Sequence, residues 1–321
     1  MTTPASLTYD DVVTPEAVWS AYERAVRGKG RRRDIQRLAL SAGPELDDLY
    51  HELHARTYRP RPCRTFWRYC PCGQKMRLIA APALRDTVVH RLIYDALYPI
   101  LDPHFIYDSY GCRIGKGPRR CADRLHAFMR RAQPGETHYL QLDISKYYYS
   151  INHAILRSAL SRHLTDPELL DLCMTPCGAG GMGVQTGTLT AQLYGLLYLD
   201  RFDHFCKRVL KCRRYLRYVD DIVIPCIQPE RGRELLDIIR PWLRDTLHLH
   251  LSRYTLLPMG RGINFVGYRT WPTHRLVRKK HIRHLRRAVR QGRQETITAL
   301  LAHAAGTASY QHMAALAGRL P

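Results

Sequence analysis

Acidic residues are scarce in this chain: 28 Asp and Glu stand against 50 Lys and Arg, leaving a formal net charge of +22. Long apolar runs are missing. None approaches the roughly 18 residues that a bilayer-spanning helix requires, and no charged-then-apolar signal segment opens the sequence. No membrane partner and a cytoplasmic location are the expectation. There is no long internal repeat and no low-complexity tract. What remains to account for the positive field is nucleic acid, whose phosphate backbone binds through counterion release and therefore with strong salt sensitivity.

A disulfide framework is also not expected. The ten cysteines scatter through apolar segments, as at Cys173, Cys206 and Cys226, which suits reduced thiols. Cys63, Cys70 and Cys72 form the one cluster. Their spacing matches no common zinc pattern and no fourth ligand lies near, so packed thiols on a hairpin are expected. With 321 residues, 45% of them hydrophobic, the chain can fill one large domain or two to three small subdomains.

Local signals set out the elements. Thr14, Pro15 and Glu16 read as a helix start, with Gly28 as its stop. The basic loop 28–33 follows, then a helical pattern over 46–53. Strand-like stretches at 66–69 and 76–80 flank a turn at Pro71-Cys72-Gly73. Residues 85–101 read as a long helix with Val88, Leu92, Ala96 and Ile100 on one face. A short apolar strand over 138–144 contains Asp143 and precedes a helix near His153. Residues 189–205 form an apolar helical pattern, 212–224 read as two strands meeting at Asp220 and Asp221, and 263–271 as a last strand pair. After Pro272, basic residues crowd a segment in which Ile282, Leu285 and Val289 recur at helical spacing, giving a basic amphipathic helix.

The chemistry centres on the acids. Asp220 and Asp221 sit between apolar β-formers, and adjacent carboxylates at a hairpin repel each other unless a cation neutralises them. Asp143 has the same context. If the two segments are neighbouring strands, all three acids meet at one sheet edge, a hard oxygen site suited to magnesium and to two-metal catalysis.

These residues resemble the motifs of reverse transcriptases. Tyr218-Val219-Asp220-Asp221 is similar to their signature tetrapeptide, and the run from Asp143 to His153 to their first catalytic motif. The segment from Gly183 to Leu193 resembles the nucleotide-pocket motif, and Asn264-Phe265-Val266-Gly267-Tyr268 the primer grip. Lys75, Arg77, Ile79, Pro82, Arg85 and Asp86 resemble the fingers segment, and Ser109-Tyr110-Gly111-Cys112-Arg113 the motif after it. They occur in the family's order over roughly residues 60 to 275. The resemblance implies an α+β right-hand polymerase with fingers, a palm of antiparallel sheet backed by helices, and a small helical thumb. The expected segments are 1–60 as an N-terminal helical extension, 61–135 as fingers, 136–272 as palm with an inserted fingers segment, and 273–321 as thumb. It further implies RNA-directed DNA polymerase activity, with template RNA, an RNA/cDNA duplex and deoxynucleoside triphosphates as partners. Two Mg2+ ions, replaceable by Mn2+, are expected at Asp143, Ile144, Asp220 and Asp221.

The resemblance also assigns finer roles. Tyr148 matches the steric gate against a ribose 2′-hydroxyl, while Tyr147 and Tyr149 are better candidates for core tyrosines. Lys75 and Arg77 match residues that hold the triphosphate. Thr186, Gly187 and Gln192 fall in the nucleotide pocket. Arg113, Phe265, Gly267, Tyr268 and the helix charges Lys279, Lys280, Arg283, Arg286, Arg287 and Arg290 are expected at template and primer.

Most of the family carries glutamine before the pocket glycine, where this chain has Thr186. That departure, with Gly187 and Gln192 and the stretch from Arg261 to His274, resembles the enzymes of diversity-generating retroelements. Copying with errors at template adenines, mutagenic retrohoming, a pentameric basic accessory protein, and a bacterial, archaeal or phage-encoded origin are what this implies. A retron or phage-defence enzyme is the alternative, and a non-catalytic RNA-binding scaffold a further one. Ala191 stands where serine is usual, and Arg253 stands in the segment where the family often has a lysine thought to protonate pyrophosphate; arginine is a poor general acid, so that role is unassigned. Neither a ribonuclease H nor an endonuclease is expected beyond the polymerase core in these 321 residues.

Overall fold

The Thr14 hydroxyl accepts the Ala17 amide at 3.1 Å and Pro15 fills the first turn, so the helix Pro15–Val26 begins where its sequence predicts. Gly28, at φ +74°, follows its end in the left-handed conformation glycine tolerates. The computed structural model describes residues 6–31, 33, 35–36, 41–70 and 75–318. By backbone contact it separates into two compact units. One comprises Met1–Phe105, Lys146–Arg201 and Asp245–Leu249, the other Ile106–Ser145, Phe202–Arg244 and His250–Pro321.

In the first unit, β1 (Arg64–Cys70) and β2 (Lys75–Ala81) form an antiparallel hairpin with Arg64 opposite Ala81 and Cys70 opposite Lys75. The expected turn at Pro71-Cys72-Gly73 lies outside the described residues. The helix Leu84–Leu101 packs against Pro15–Val26 and against Leu189–Tyr198. Its buried stripe also takes in Val89, Ile93, Leu97 and Leu101, whereas Ala96 and Ile100 are only half-buried. The helix Leu189–Tyr198 is buried nearly all round, as its mostly apolar sequence requires. It stops earlier than its apolar pattern suggests. A short helix Asp200–His204 and a wider π turn Phe205–Val209 carry the chain onward, within the second unit from Phe202 on.

The second unit is built on a four-stranded antiparallel sheet ordered β4-β5-β3-β6, where β3 is His138–Ile144, β4 Leu216–Tyr218, β5 Asp221–Ile227 and β6 Leu251–Pro258. Alternation along β3 buries Leu140, Leu142 and Ile144 on one face and leaves Gln141 and Asp143 on the other. Each buried aliphatic side chain of this kind contributes roughly 2 kcal/mol. The helix Pro118–Met129 covers part of the Gln141 face, where Cys121, Leu125 and Met129 join Tyr139, Leu216 and Val223 in one core. A three-stranded antiparallel sheet follows: β7 (Ile263–Phe265), β8 (Tyr268–Thr270) and β9 (Arg275–Val277). The helices Lys279–Arg290, Gln294–Ala304 and Tyr310–Leu316 close over Tyr268 and Val277. Among the described residues no helix is long and apolar enough to cross a membrane.

Candidate active site

A two-residue turn joins β4 to β5, because Tyr218 pairs with Asp221 and leaves Val219 and Asp220 at the tip. Such hairpins take a positive φ at the first tip position, normally from Gly or Asn. Here Val219 holds φ +60°, a strained value for a β-branched residue. Neighbours clamp the turn. The loop before it lies flat on the hairpin: Arg217 N donates to Asp108 O at 3.0 Å and Tyr110 N to Arg217 O at 2.9 Å. Gly111 sits so close that an added Cβ would stand 2.6 Å from both the Val219 nitrogen and its Cγ2. The glycine of the Ser109–Arg113 motif is therefore required for backbone approach, not for a turn. On the buried side, the Arg217 guanidinium is locked to the Asp203 carboxylate and also donates Nη1 to Val219 O at 3.0 Å.

The ladder places the acids together. Asp143 of β3 stands directly opposite Asp221 of β5, on the face they share with Gln141, and Asp220 precedes Asp221 at the tip. Burial, with the Asp220 and Asp143 charges adding to it, pushes the Asp221 carboxyl up to about 6, against a hydrogen bond from Gln141 and the charge of Arg278. The Gln141 amide donates to Asp221 Oδ1 at 3.0 Å and to Asn264 O at 3.3 Å, tying the acid to β7. The Asp143 carboxylate accepts from the Ser252 hydroxyl. Across β6 its backbone partner is Arg253, which is exposed.

These hydrogen bonds bear on a metal. The donor set is hard oxygen, and an anion as buried as Asp221 beside two others suits a divalent cation. In kind and place the residues fit one. They do not stand ready as a cage, however: among the described residues no three His, Cys, Asp or Glu are gathered to hold an ion. The convergence expected from sequence is thus a convergence of backbone positions. Ile144 is buried and paired with Leu251.

The other expected nucleic-acid contacts divide sharply. Phe265 and Tyr268 are 1% exposed and point into the core, with the Tyr268 hydroxyl donating to His303 O at 2.9 Å. Their side chains cannot reach a primer, which leaves the backbone turn at Val266 (φ +41°) and Gly267 (φ +95°) between them. The Arg113 guanidinium donates to Ile106 O and Ser109 O, stapling its own loop. By contrast Lys279, Lys280, Arg283, Arg286, Arg287 and Arg290 are all exposed along one helix, with Leu285 and Ala288 buried beneath. Of Gln141, Ser252, Asp203 and Arg278, none of which the motifs single out as a site residue, only Gln141, two before Asp143 and so on the same strand face, carries a signal in the sequence.

In the first unit Val184 N donates to Tyr148 O at 2.8 Å, binding the Asp143 motif's continuation to the pocket motif. Tyr148 is half-buried with its ring beside Gly195, where an added Cβ would lie 3.0 Å from Cε1. Tyr147 is the core tyrosine, its hydroxyl donating to Gly195 O at 2.5 Å, whereas Tyr149 is 59% exposed and is not a core residue. Thr186 and Gln192 are half-buried, and Gly187, at φ +97°, has open space where a Cβ would stand. Gln185 donates to Ala80 O at 3.0 Å and to the free thiol of Cys63. The side chains of Cys70, Lys75 and Arg77, and Cys72 entirely, lie outside the described residues, so the thiol cluster and the triphosphate contacts do too.

Residues 72–269, more than half the chain, match the family described as reverse transcriptase (RNA-dependent DNA polymerase). Protein YkfC of Escherichia coli strain K12 is 28% identical over 308 residues, covering 81% of this chain and 77% of that protein. The uncharacterized mitochondrial protein ymf11 of Marchantia polymorpha is 26% identical over 130 residues, 39% of this chain and 17% of that protein. Among solved structures, telomerase from Candida albicans, in complex with the TWJ fragment of telomeric RNA, superposes with a TM-score of 0.51 at 12% identity. That likeness covers 85% of this chain but 58% of the telomerase chain, and it is one of fold: a right-hand polymerase with mixed helices and antiparallel sheet. The match across residues 72–269, coinciding with the hairpin that sets Asp221 beside Asp143, places this chain in the reverse transcriptase (RNA-dependent DNA polymerase) family.

Proposed function

We propose that the chain copies RNA into DNA by nucleotidyl transfer at Asp143, Asp220 and Asp221. The observation that carries this reading is the β3–β5 register, which puts Asp143 opposite Asp221 with Asp220 one residue away. The three carboxylates, with the Ile144 backbone, would hold divalent ions, which when bound activate the primer hydroxyl and stabilise the leaving pyrophosphate. The chain's own groups prepare that place. Gln141 and Ser252 hold two of the carboxylates in position, Arg278 tempers their mutual repulsion, and the exposed cations of Lys279–Arg290 attract the duplex backbone. For the nucleotide we assign Tyr148, Thr186, Gly187 and Gln192, with Lys75 and Arg77 at the triphosphate. The segments 1–60, 61–135, 136–272 and 273–321 are assigned as extension, fingers, palm and thumb.

The test is extension of a DNA primer on an RNA template with Mg2+ and deoxynucleotides. Wild type extends and Asp220→Ala does not; a wild type that binds template–primer yet never extends it would favour the scaffold alternative.

Thr186 supports a narrower reading, that of a diversity-generating retroelement enzyme working with a pentameric basic accessory protein in the cytoplasm. A threonine beside the open space at Gly187 offers an incoming base fewer contacts than glutamine, and fewer contacts penalise a mispair less. A retron enzyme would share the acids but has no reason for this relaxed pocket.

A further inference from the structure

We infer that Arg217 is a positioning residue: anchored on Asp203, it holds Val219 in the left-handed conformation that presents Asp220 and Asp221. This rests on the reading of those two acids as cation ligands. Both members of the ion pair are 0% exposed. Arg217 Nε lies 2.8 and 2.9 Å from the two Asp203 oxygens and Nη2 lies 2.6 Å from Oδ2, while the Tyr215 hydroxyl donates to Oδ1 at 2.5 Å. From this anchored fork, Nη1 donates to Val219 O at 3.0 Å.

An ion pair that served only the core would end at its carboxylate. Such pairs are commonly replaceable by apolar side chains without loss of fold. This one reaches beyond the core to the strained residue of the turn, where Val219 at φ +60° would otherwise relax toward the ordinary β region. Gly111 packs directly against Val219, and its backbone admits no side chain there. Arg217 also spans the turn through its main chain, by its bonds to Asp108 and Tyr110. The guanidinium bond and the close packing of Gly111 both act on Val219, the strained residue of the tip. Lysine cannot substitute, because a point ammonium cannot serve Asp203 and the Val219 carbonyl along separate fixed directions.

Two variants separate this role from core support. Asp203→Leu with Arg217→Met removes both charges together, leaving no lone ion inside. Arg217→Lys keeps a charge beside Asp203 and loses the fork. Each full-length protein is compared with wild type by thermal unfolding, by Mn2+ binding followed with electron paramagnetic resonance, and by primer extension. The expected result is a folded protein that binds Mn2+ roughly tenfold more weakly and turns over roughly 100-fold more slowly, with little change in the nucleotide KM. Adding Val219→Asn, whose side chain tolerates left-handed backbone, recovers much of both losses. Wild-type Mn2+ affinity in a folded variant overturns the proposal, as does a loss that Val219→Asn leaves untouched. Failure of both variants to fold overturns it too, since Arg217 would then be holding the core. A wild type that binds Mn2+ but extends no primer counts against the polymerase reading alone, and the Mn2+ comparison still decides the role of Arg217.

Discussion

Replacing Asp221 with asparagine should make the metal-free protein more stable while destroying its activity. Asp221 titrates near 6 in the fold against 3.8 for an unperturbed carboxyl, a rise caused mainly by burial and then by the Asp220 and Asp143 charges. A raised folded pKa means stability that is fully present below 3.8 and lost as pH rises through about 6. At pH 8 the ionised side chain therefore destabilises the fold by about 3 kcal/mol, at ~1.4 kcal/mol for each pH unit between the two values. Asn keeps the shape and still accepts from Gln141 through its Oδ1, without the charge. Urea denaturation of wild type and Asp221→Asn without divalent ions should show the variant ahead by about 3 kcal/mol at pH 8 and by roughly half that at pH 5. Saturating Mg2+ should narrow the gap at pH 8, because ligand binding to the folded state stabilises wild type alone. A variant no more stable than wild type at pH 8, or an advantage unchanged between pH 5 and pH 8, would mean that the buried Asp221 charge does not strain the fold.

Other outcomes follow from the same geometry. Gly111→Ala forces a methyl group to 2.6 Å from the Val219 nitrogen, so primer extension should fall by an order of magnitude or more while the stability measured by denaturation falls by only about 1–3 kcal/mol. Removing the charges of Arg283, Arg286 and Arg287 together with Gln should flatten the salt dependence of template–primer affinity by roughly 0.9 in log–log slope per lost phosphate contact; an anisotropy titration across salt concentrations reads this, and an unchanged slope places the duplex elsewhere. Thr186→Gln should lower misincorporation opposite template adenine when products are sequenced, and an unaltered error spectrum removes the support for the diversity-generating reading.

The acids were legible in the sequence because their neighbours are. Leu140, Leu142 and Ile144 on one side and Ile222, Val223 and Ile224 on the other are strand formers that announce β3 and β5, and the register follows from pairing them. β6 was not, since it is an edge strand whose Ser252, Arg253 and Tyr254 are exposed and show no apolar alternation. The helix Pro118–Met129 opens with two arginines, and Pro229–Leu247 carries Pro241 within it, so both hide their helical character behind composition. The motif points Phe265 and Tyr268 to the primer, yet their neighbours in the fold draw both rings inward. The Asp203–Arg217 pair gave no signal at all. Asp203 sits in a polar helical turn that reads as surface, and only tertiary packing buries it.

The most direct measurement is the anomalous scattering of Mn2+ in crystals of the protein with template–primer and a nonhydrolysable nucleotide. Peaks are expected at oxygen-ligand distance, roughly 2.0–2.2 Å for a compact divalent ion, from the carboxylates of Asp143, Asp220 and Asp221. Ions bound elsewhere, or none between these three acids while primer is being extended in solution, would contradict it.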